Sequence, residues 1–119
     1  MPTKQHGQLN YVEYPAYDLE ATKTFFHAVF DWKFTDFGID YCSFTSEEIN
    51  GGFYRSKLTS TQAAGGALLI FYSENLEKSL AKVESNGAQI NKPIFSFPGG
   101  RRFHFIEPSG NEFAVWTDK

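Results

Sequence analysis

Apolar and polar residues alternate over residues 9–14, with Val12 and Tyr14 on one side and Leu9, Tyr11 and Glu13 on the other, the period of two that a strand requires. Pro15 is expected to end that strand. Asp18 then offers an N-cap oxygen, and from Leu19 the side chains at 19, 22, 26, 29 and 30 fall on one helical stripe, so a helix is predicted to run to about Asp31. Strands follow over residues 33–36, 40–45 and 51–56, separated by polar or Gly-containing turns.

Residues 57–66 (KLTSTQAAGG) are small and polar and end in paired glycines, as a linker between two halves does. The pattern then restarts. Residues 67–72 (ALLIFY) are a continuous apolar run, read as a central strand covered on both faces. Asn75 caps a second helix carrying Leu76, Leu80 and Val83, and Asn86-Gly87 closes it. Strands are predicted over 89–96, 101–106 and 112–116, with Pro98-Gly99-Gly100 and Pro108-Ser109-Gly110-Asn111 as turns. The chain therefore reads strand-helix-strand-strand-strand, written twice, and Asp18-Leu19-Glu20 is answered by Asn75-Leu76-Glu77. This predicts one α+β domain over 1–119, built from a module at about 7–57, a linker at 58–66 and a module at about 67–119.

Thirteen Phe, six Tyr and two Trp predict a core built from flat rings, some of which can line a pocket instead. The net charge of −3 and the single basic pair, Arg101-Arg102, give no nucleic-acid footprint. One cysteine, Cys42, excludes an intrachain disulfide and a thiolate-rich metal site, and its place in an alternating run marks it as a small buried hydrophobe. The start of the sequence lacks the apolar stretch of a signal peptide, and no window approaches the ~20 apolar residues of a membrane span. A cytoplasmic location is expected.

Three stretches, in order, resemble one family. Asp18-Leu19-Glu20 through Phe25-Phe26 to Val29-Phe30-Asp31-Trp32 is similar to its helix signature, Gly51-Gly52-Phe53-Tyr54 to its G-G-x-Y strand, and Glu107-Pro108-Ser109-Gly110-Asn111 to its D-P-x-G-N closing hairpin. This is the vicinal-oxygen-chelate superfamily, also called glyoxalase/bleomycin-resistance/dioxygenase. The resemblance implies two βαβββ modules forming a cupped mixed sheet, with a divalent metal in the cup of its enzymes. The ligand positions fall here on Tyr11, Leu68 and Ala114, and Leu and Ala have no donor atom to give. No metal and no other cofactor is expected, and the metal-dependent chemistry of the enzymes does not carry over.

Strand alternation places Tyr11 and Glu13, Leu68, Ile70 and Tyr72, Arg102, His104 and Ile106, and Glu112, Ala114 and Trp116 on the cup side, with Phe103 and Phe105 toward the helices. A few convergent polar groups in an apolar concavity make a small-molecule site. Three functions are open. The cup binds an organic anion or polar aromatic compound unchanged; or Glu13 and His104 act as base and acid of a lyase or isomerase, with Arg102 holding an oxyanion; or Glu13, His104 and Glu112 form a shifted metal site for a metal-dependent lyase or dioxygenase. Arg102 also has a purely structural reading, as an ion-pair partner of Glu13 or Glu112. His6 and His27 are read as surface residues. Exposed sheet edges, and a family habit of completing one cup from two chains, make a homodimer the expected assembly.

Overall fold

A computed structural model describes residues 4–119; Met1 to Thr3, at the start of the sequence, lie outside the described residues. Strand β1 (Tyr11–Ala16) leads into helix α1 (Leu19–Phe30) and strands β2 (Lys33–Asp36), β3 (Tyr41–Thr45) and β4 (Asn50–Arg55). The second half repeats this as β5 (Leu69–Tyr72), α2 (Leu76–Ser85), β6 (Gln89–Phe97), β7 (Gly100–Ile106) and β8 (Glu112–Thr117). Each half makes a four-stranded mixed sheet, ordered β1-β4-β3-β2 and β5-β8-β7-β6, in which only the first pair is parallel.

The helix starts follow the caps read from sequence. Asp18 accepts from the Ala21 amide at 3.0 Å and Asn75 from the Lys78 amide at 3.1 Å, each satisfying one orphan donor of a first turn. Helix α1 ends where Asp31 turns left-handed, at φ 59°. The helix-facing side chains of both sheets meet in one core. Phe26 of α1 stacks on Trp32 and Phe53 from the first half and meets Phe113 of the second edge-on. Phe30 stacks on Phe71 with ring centres 3.8 Å apart, and Tyr14 contacts Phe113. Phe71 of β5 packs on Phe113 as Tyr14 of β1 does, so the two halves meet through their core-facing rings, and the opposite, helix-free faces are left as the candidate cup.

Two expectations about strands need correction. Pro15 does not end β1, which continues to Ala16. A parallel edge strand bonds β4 on one side only, so the missing N–H of Pro15 leaves no gap in the ladder, while its carbonyl accepts from Asn111 Nδ2 at 2.7 Å. Strand β5 is also an edge strand, not a central one. Leu69 and Phe71 pack on the core, whereas Ile70 and Tyr72 are 45% and 49% exposed. A continuous apolar run does not distinguish coverage by protein on both faces from coverage by a core on one face and a cleft on the other.

Candidate functional site

The helix-free face of the second sheet is organised in rows. Tyr72 of β5, Trp116 of β8, Arg102 of β7 and Phe95 of β6 are successive cross-strand partners. The guanidinium carbon of Arg102 lies 5.4 Å from the Phe95 ring centre and 5.6 Å from that of Phe97. Trp116 touches both Tyr72 and Phe97. Arg102 makes no hydrogen bond or ion pair with any described residue, and its Nε is buried without a partner. The structural reading of Arg102 as an ion-pair partner of Glu13 or Glu112 therefore has no contact behind it.

The next row is Ile70, Ala114, His104 and Lys92. Here the linker crosses the sheet as a strap. The Ser60 carbonyl accepts from the Glu112 amide at 2.9 Å, the Ser60 amide donates to Asn111 Oδ1 at 2.9 Å, and the Gln62 amide donates to Glu112 Oε1 at 3.0 Å. Below it, His104 Nδ1 meets Glu112 Oε2 at 2.7 Å, and both residues are buried, as is Ala114. Burial, with Arg102 and Lys92 nearby, holds the imidazole below its ordinary value despite Glu112. Burial pushes Glu112 upward, but the Gln62 amide and the His104 ring outweigh it and hold the carboxyl below its usual range. The pair is thus a neutral ring donating from Nδ1 to a carboxylate. That leaves Nε2 as a lone-pair acceptor, buried and without a hydrogen-bond partner.

Glu13 is elsewhere, on the helix-free face of the first sheet. Tyr41 donates to Glu13 Oε2 at 2.8 Å, and the Tyr11 and Tyr41 hydroxyls share a second, short hydrogen bond. Gly52, the β4 partner of both Glu13 and Ser43, makes this possible: a Cβ there would stand 2.1 Å from the Tyr41 hydroxyl. No hydrogen bond, ion pair or ring contact joins Glu13 to His104, Glu112 or Arg102. The site residues predicted from sequence therefore form two groups, Tyr11 and Glu13 on the first sheet and the rest on or beside the second. Between the first sheet and the β5 edge lies a cleft of about 880 Å³ lined by Trp32, Ile49, Ile70, Phe71, Tyr72 and Trp116 among others. Leu68 and Ile106 are half-buried, and Ile106 is the cross-strand partner of Glu112.

The donor set does not fit a divalent metal. The Tyr11 hydroxyl is bonded to Tyr41, Leu68 and Ala114 bring no donor, and both oxygens of Glu112 are used by Gln62 and His104. Among the described residues no three His, Cys, Asp or Glu side chains gather where they could hold an ion, the shifted set of Glu13, His104 and Glu112 included. No helix is long and apolar enough to cross a membrane. His6 and His27 are exposed, and His27 Nδ1 lies 3.0 Å from the Trp32 carbonyl. Cys42 is buried, and that burial pushes its thiol up.

Four contributors escaped the sequence reading: Tyr41, Phe95, Phe97 and Gln62. Tyr41 was legible, since Tyr41 and Ser43 alternate with the core residues Cys42 and Phe44. Phe95 was not, because Ile94 and Phe95 are adjacent and both apolar, and β6 shifts register twice between Ile90 and Phe95.

The sequence model of the Glyoxalase/Bleomycin resistance protein/Dioxygenase superfamily matches residues 8–115. No curated protein matches the sequence. Solved structures match closely in fold at low identity. A glyoxalase-related enzyme from Fulvimarina pelagi superposes with TM-score 0.77 at 14% identity, covering 93% of this chain and 88% of its own. A glyoxalase/bleomycin resistance protein/dioxygenase family enzyme from Burkholderia phytofirmans PsJN gives 0.76 at 15% identity over 92% and 98%. Lactoylglutathione lyase from Agrobacterium tumefaciens gives 0.71 at 16% identity over 95% of each chain.

Proposed function

Because the chain belongs to the glyoxalase/bleomycin resistance protein/dioxygenase superfamily, with a cup whose donor set suits no metal, we propose that it binds a small organic anion carrying an aromatic ring and leaves it unchanged. The observation that carries this reading is Arg102. A guanidinium held between two phenylalanine rings, with Trp116 beside it and no carboxylate partner, is a positive charge already oriented for an incoming anion. Tyr72, Trp116 and Ile70, which line the neighbouring cleft, supply apolar surface for the ring. The acid–base alternative finds less support: His104 is fully buried under the linker, its Nδ1 is engaged by Glu112, and Glu13 is bonded to Tyr41. The buried Cys42 suits a reducing, cytoplasmic setting. The exposed edge residues Ile70 and Tyr72, and Tyr11 and Tyr54 on the first sheet, suit a homodimer that covers them.

The test is calorimetry and thermal melting with a panel of aromatic carboxylates. A binder present at a hundredfold excess over Kd should stabilise the protein by about 2.7 kcal/mol. Arg102→Ala should weaken that binder roughly tenfold or more, the value of a charge-assisted hydrogen bond, while costing only about 1 kcal/mol of stability. EDTA, Zn²⁺, Mn²⁺ and Ni²⁺ should leave both the melting temperature and the affinity unchanged. An aromatic anion that binds equally well to Arg102→Ala overturns the assignment.

A further inference from the structure

Arg102 has a neighbour whose chemistry anion binding leaves unused. His104 stands two residues along β7 on the same face, roughly 7 Å away along the strand. The two flank one ring: the Arg102 guanidinium carbon lies 5.4 Å from the Phe95 ring centre, and the His104 ring centre lies 5.8 Å from it. One ligand of ordinary size can therefore touch both. His104 is fully buried, and its Nε2 has no hydrogen-bond partner among the described residues. The direction of that nitrogen follows from the other one. Nδ1 faces Glu112, which pairs with Ile106 and so lies on the far side of His104 from Arg102. The two nitrogens of an imidazole point to nearly opposite sides of the ring, so Nε2 faces the corner where Phe95 and Arg102 stand. Because the Glu112 carboxylate can only accept, the ring proton stays on Nδ1 and Nε2 is fixed as an acceptor.

What roofs His104 is the strap. Gln62 bonds Glu112 of β8 through its amide and accepts from Lys92 Nζ of β6 at 3.4 Å, so it passes over β7 between them. Toward β8 the strap is held by bonds of 2.9 to 3.0 Å at Ser60 and Gln62, whereas the long Lys92 contact is its only bond to β6 among the described residues. It is thus anchored along one side and lifts on the side where Phe95 and Nε2 lie. A buried acceptor selects a molecule that brings a donor and discriminates against the isostere that lacks one. With Arg102 and Lys92 close by, that donor is neutral. We infer that His104 Nε2 accepts from a hydroxyl of the ligand, which is therefore a hydroxylated aromatic acid with its carboxylate at Arg102 and its O–H at His104. Glu112 is a positioning residue that fixes the tautomer. This assignment rests on the anion-binding reading of Arg102 and names the second group of the same ligand.

The probes are meta- and para-hydroxybenzoate, whose hydroxyl cannot reach the carboxylate of the same molecule, and meta- and para-toluate, which carry a methyl in its place. They are titrated calorimetrically into wild type, His104→Phe, Glu112→Gln and Arg102→Ala. At least one hydroxybenzoate should bind wild type roughly tenfold tighter than its toluate counterpart. His104→Phe should remove that margin while the toluate still binds, which also reports that the variant is folded. Glu112→Gln is the near-isosteric second variant: its oxygen stays on the Gln62 amide, its NH2 turns to Nδ1, and the ring proton moves to Nε2, so the margin should again vanish. Arg102→Ala should weaken both probe classes. In wild type, nitrogen NMR of labelled histidine should show the His104 Nε2 resonance moving upfield with the hydroxybenzoate and staying in place with the toluate. If the toluates bind through Arg102 but the hydroxyl confers no margin, or the margin survives either variant, or the resonance does not move, the inference fails and the anion site stands. If no probe binds, or binding ignores Arg102, the anion reading itself falls and takes the inference with it.

Discussion

At the scale of single residues, the cup is governed by where charge is satisfied and where it is not. His104 shows the satisfied case. Burial holds its folded pKa below the ordinary value of 6.5, so below that pH the unfolded chain binds more protons than the folded one. The stability it contributes is complete above pH 6.5 and is lost as pH falls from there toward the folded pKa. Glu112, also held below its usual carboxylate range, adds a second loss at still lower pH. Stability in urea unfolding should therefore fall as pH drops below 6.5, and His104→Gln should flatten that fall. An unchanged slope in the variant would assign the acid sensitivity to other groups. Arg102 is the opposite case, and alternation alone disclosed its direction. What the sequence could not disclose was its lack of a partner, because pairing depends on side chains from β6 and on which sheet carries Glu13.

At the scale of elements, the closing hairpin is the joint of the fold. Glu107 Oε1 accepts from the Thr22 hydroxyl at 2.7 Å and the Ser109 amide at 3.1 Å, while Oε2 accepts from Asn111 Nδ2 at 2.7 Å and the Asn111 amide at 3.3 Å. The first of these ties α1 to the hairpin, and Asn111 extends the tie to Pro15 and to the linker at Ser60. Burial pushes the Glu107 carboxyl up despite those four donors, so the group is held by geometry at an electrostatic cost. Glu107→Ala would strand the donors in a buried site and should destabilise the protein by roughly 3 kcal/mol or more in urea unfolding. A loss below about 1 kcal/mol would show that water replaces the carboxylate. The motif Glu107-Pro108-Ser109-Gly110-Asn111 was legible in sequence because such a turn needs those residue types, including the positive φ of Gly110 at 92°. Its reach was not legible, since every partner except Ser109 and Asn111 comes from a distant part of the chain. The strand ends were missed for a related reason: Pro15 and the 67–72 run are ambiguous until the neighbouring strand is known.

At the scale of the whole molecule, the duplicated order of elements was readable from caps, turns and periodicity, because each is a local requirement. The way the two halves meet is not local, and Tyr14, Phe30 and Trp32 show it: each has a ring partner in the other half. If open edges and the exposed Ile70 and Tyr72 are covered by a second copy, sedimentation should report a dimer, and Tyr72→Glu should shift it to monomer without loss of melting cooperativity. A wild-type monomer at tens of micromolar would remove that assembly. The strap over the second sheet carries a further consequence. Residues 61–64 have no place in any ladder or in the aromatic core, yet Gln62 roofs the row beside Arg102. Substitution there changes what a ligand meets without disturbing a strand register. A library randomised at Thr61, Ala63 and Ala64 should keep melting temperatures within a few degrees of the parent while its members diverge in ligand preference. In this protein, the freedom to acquire new specificity is lodged in the stretch of chain that stability constrains least.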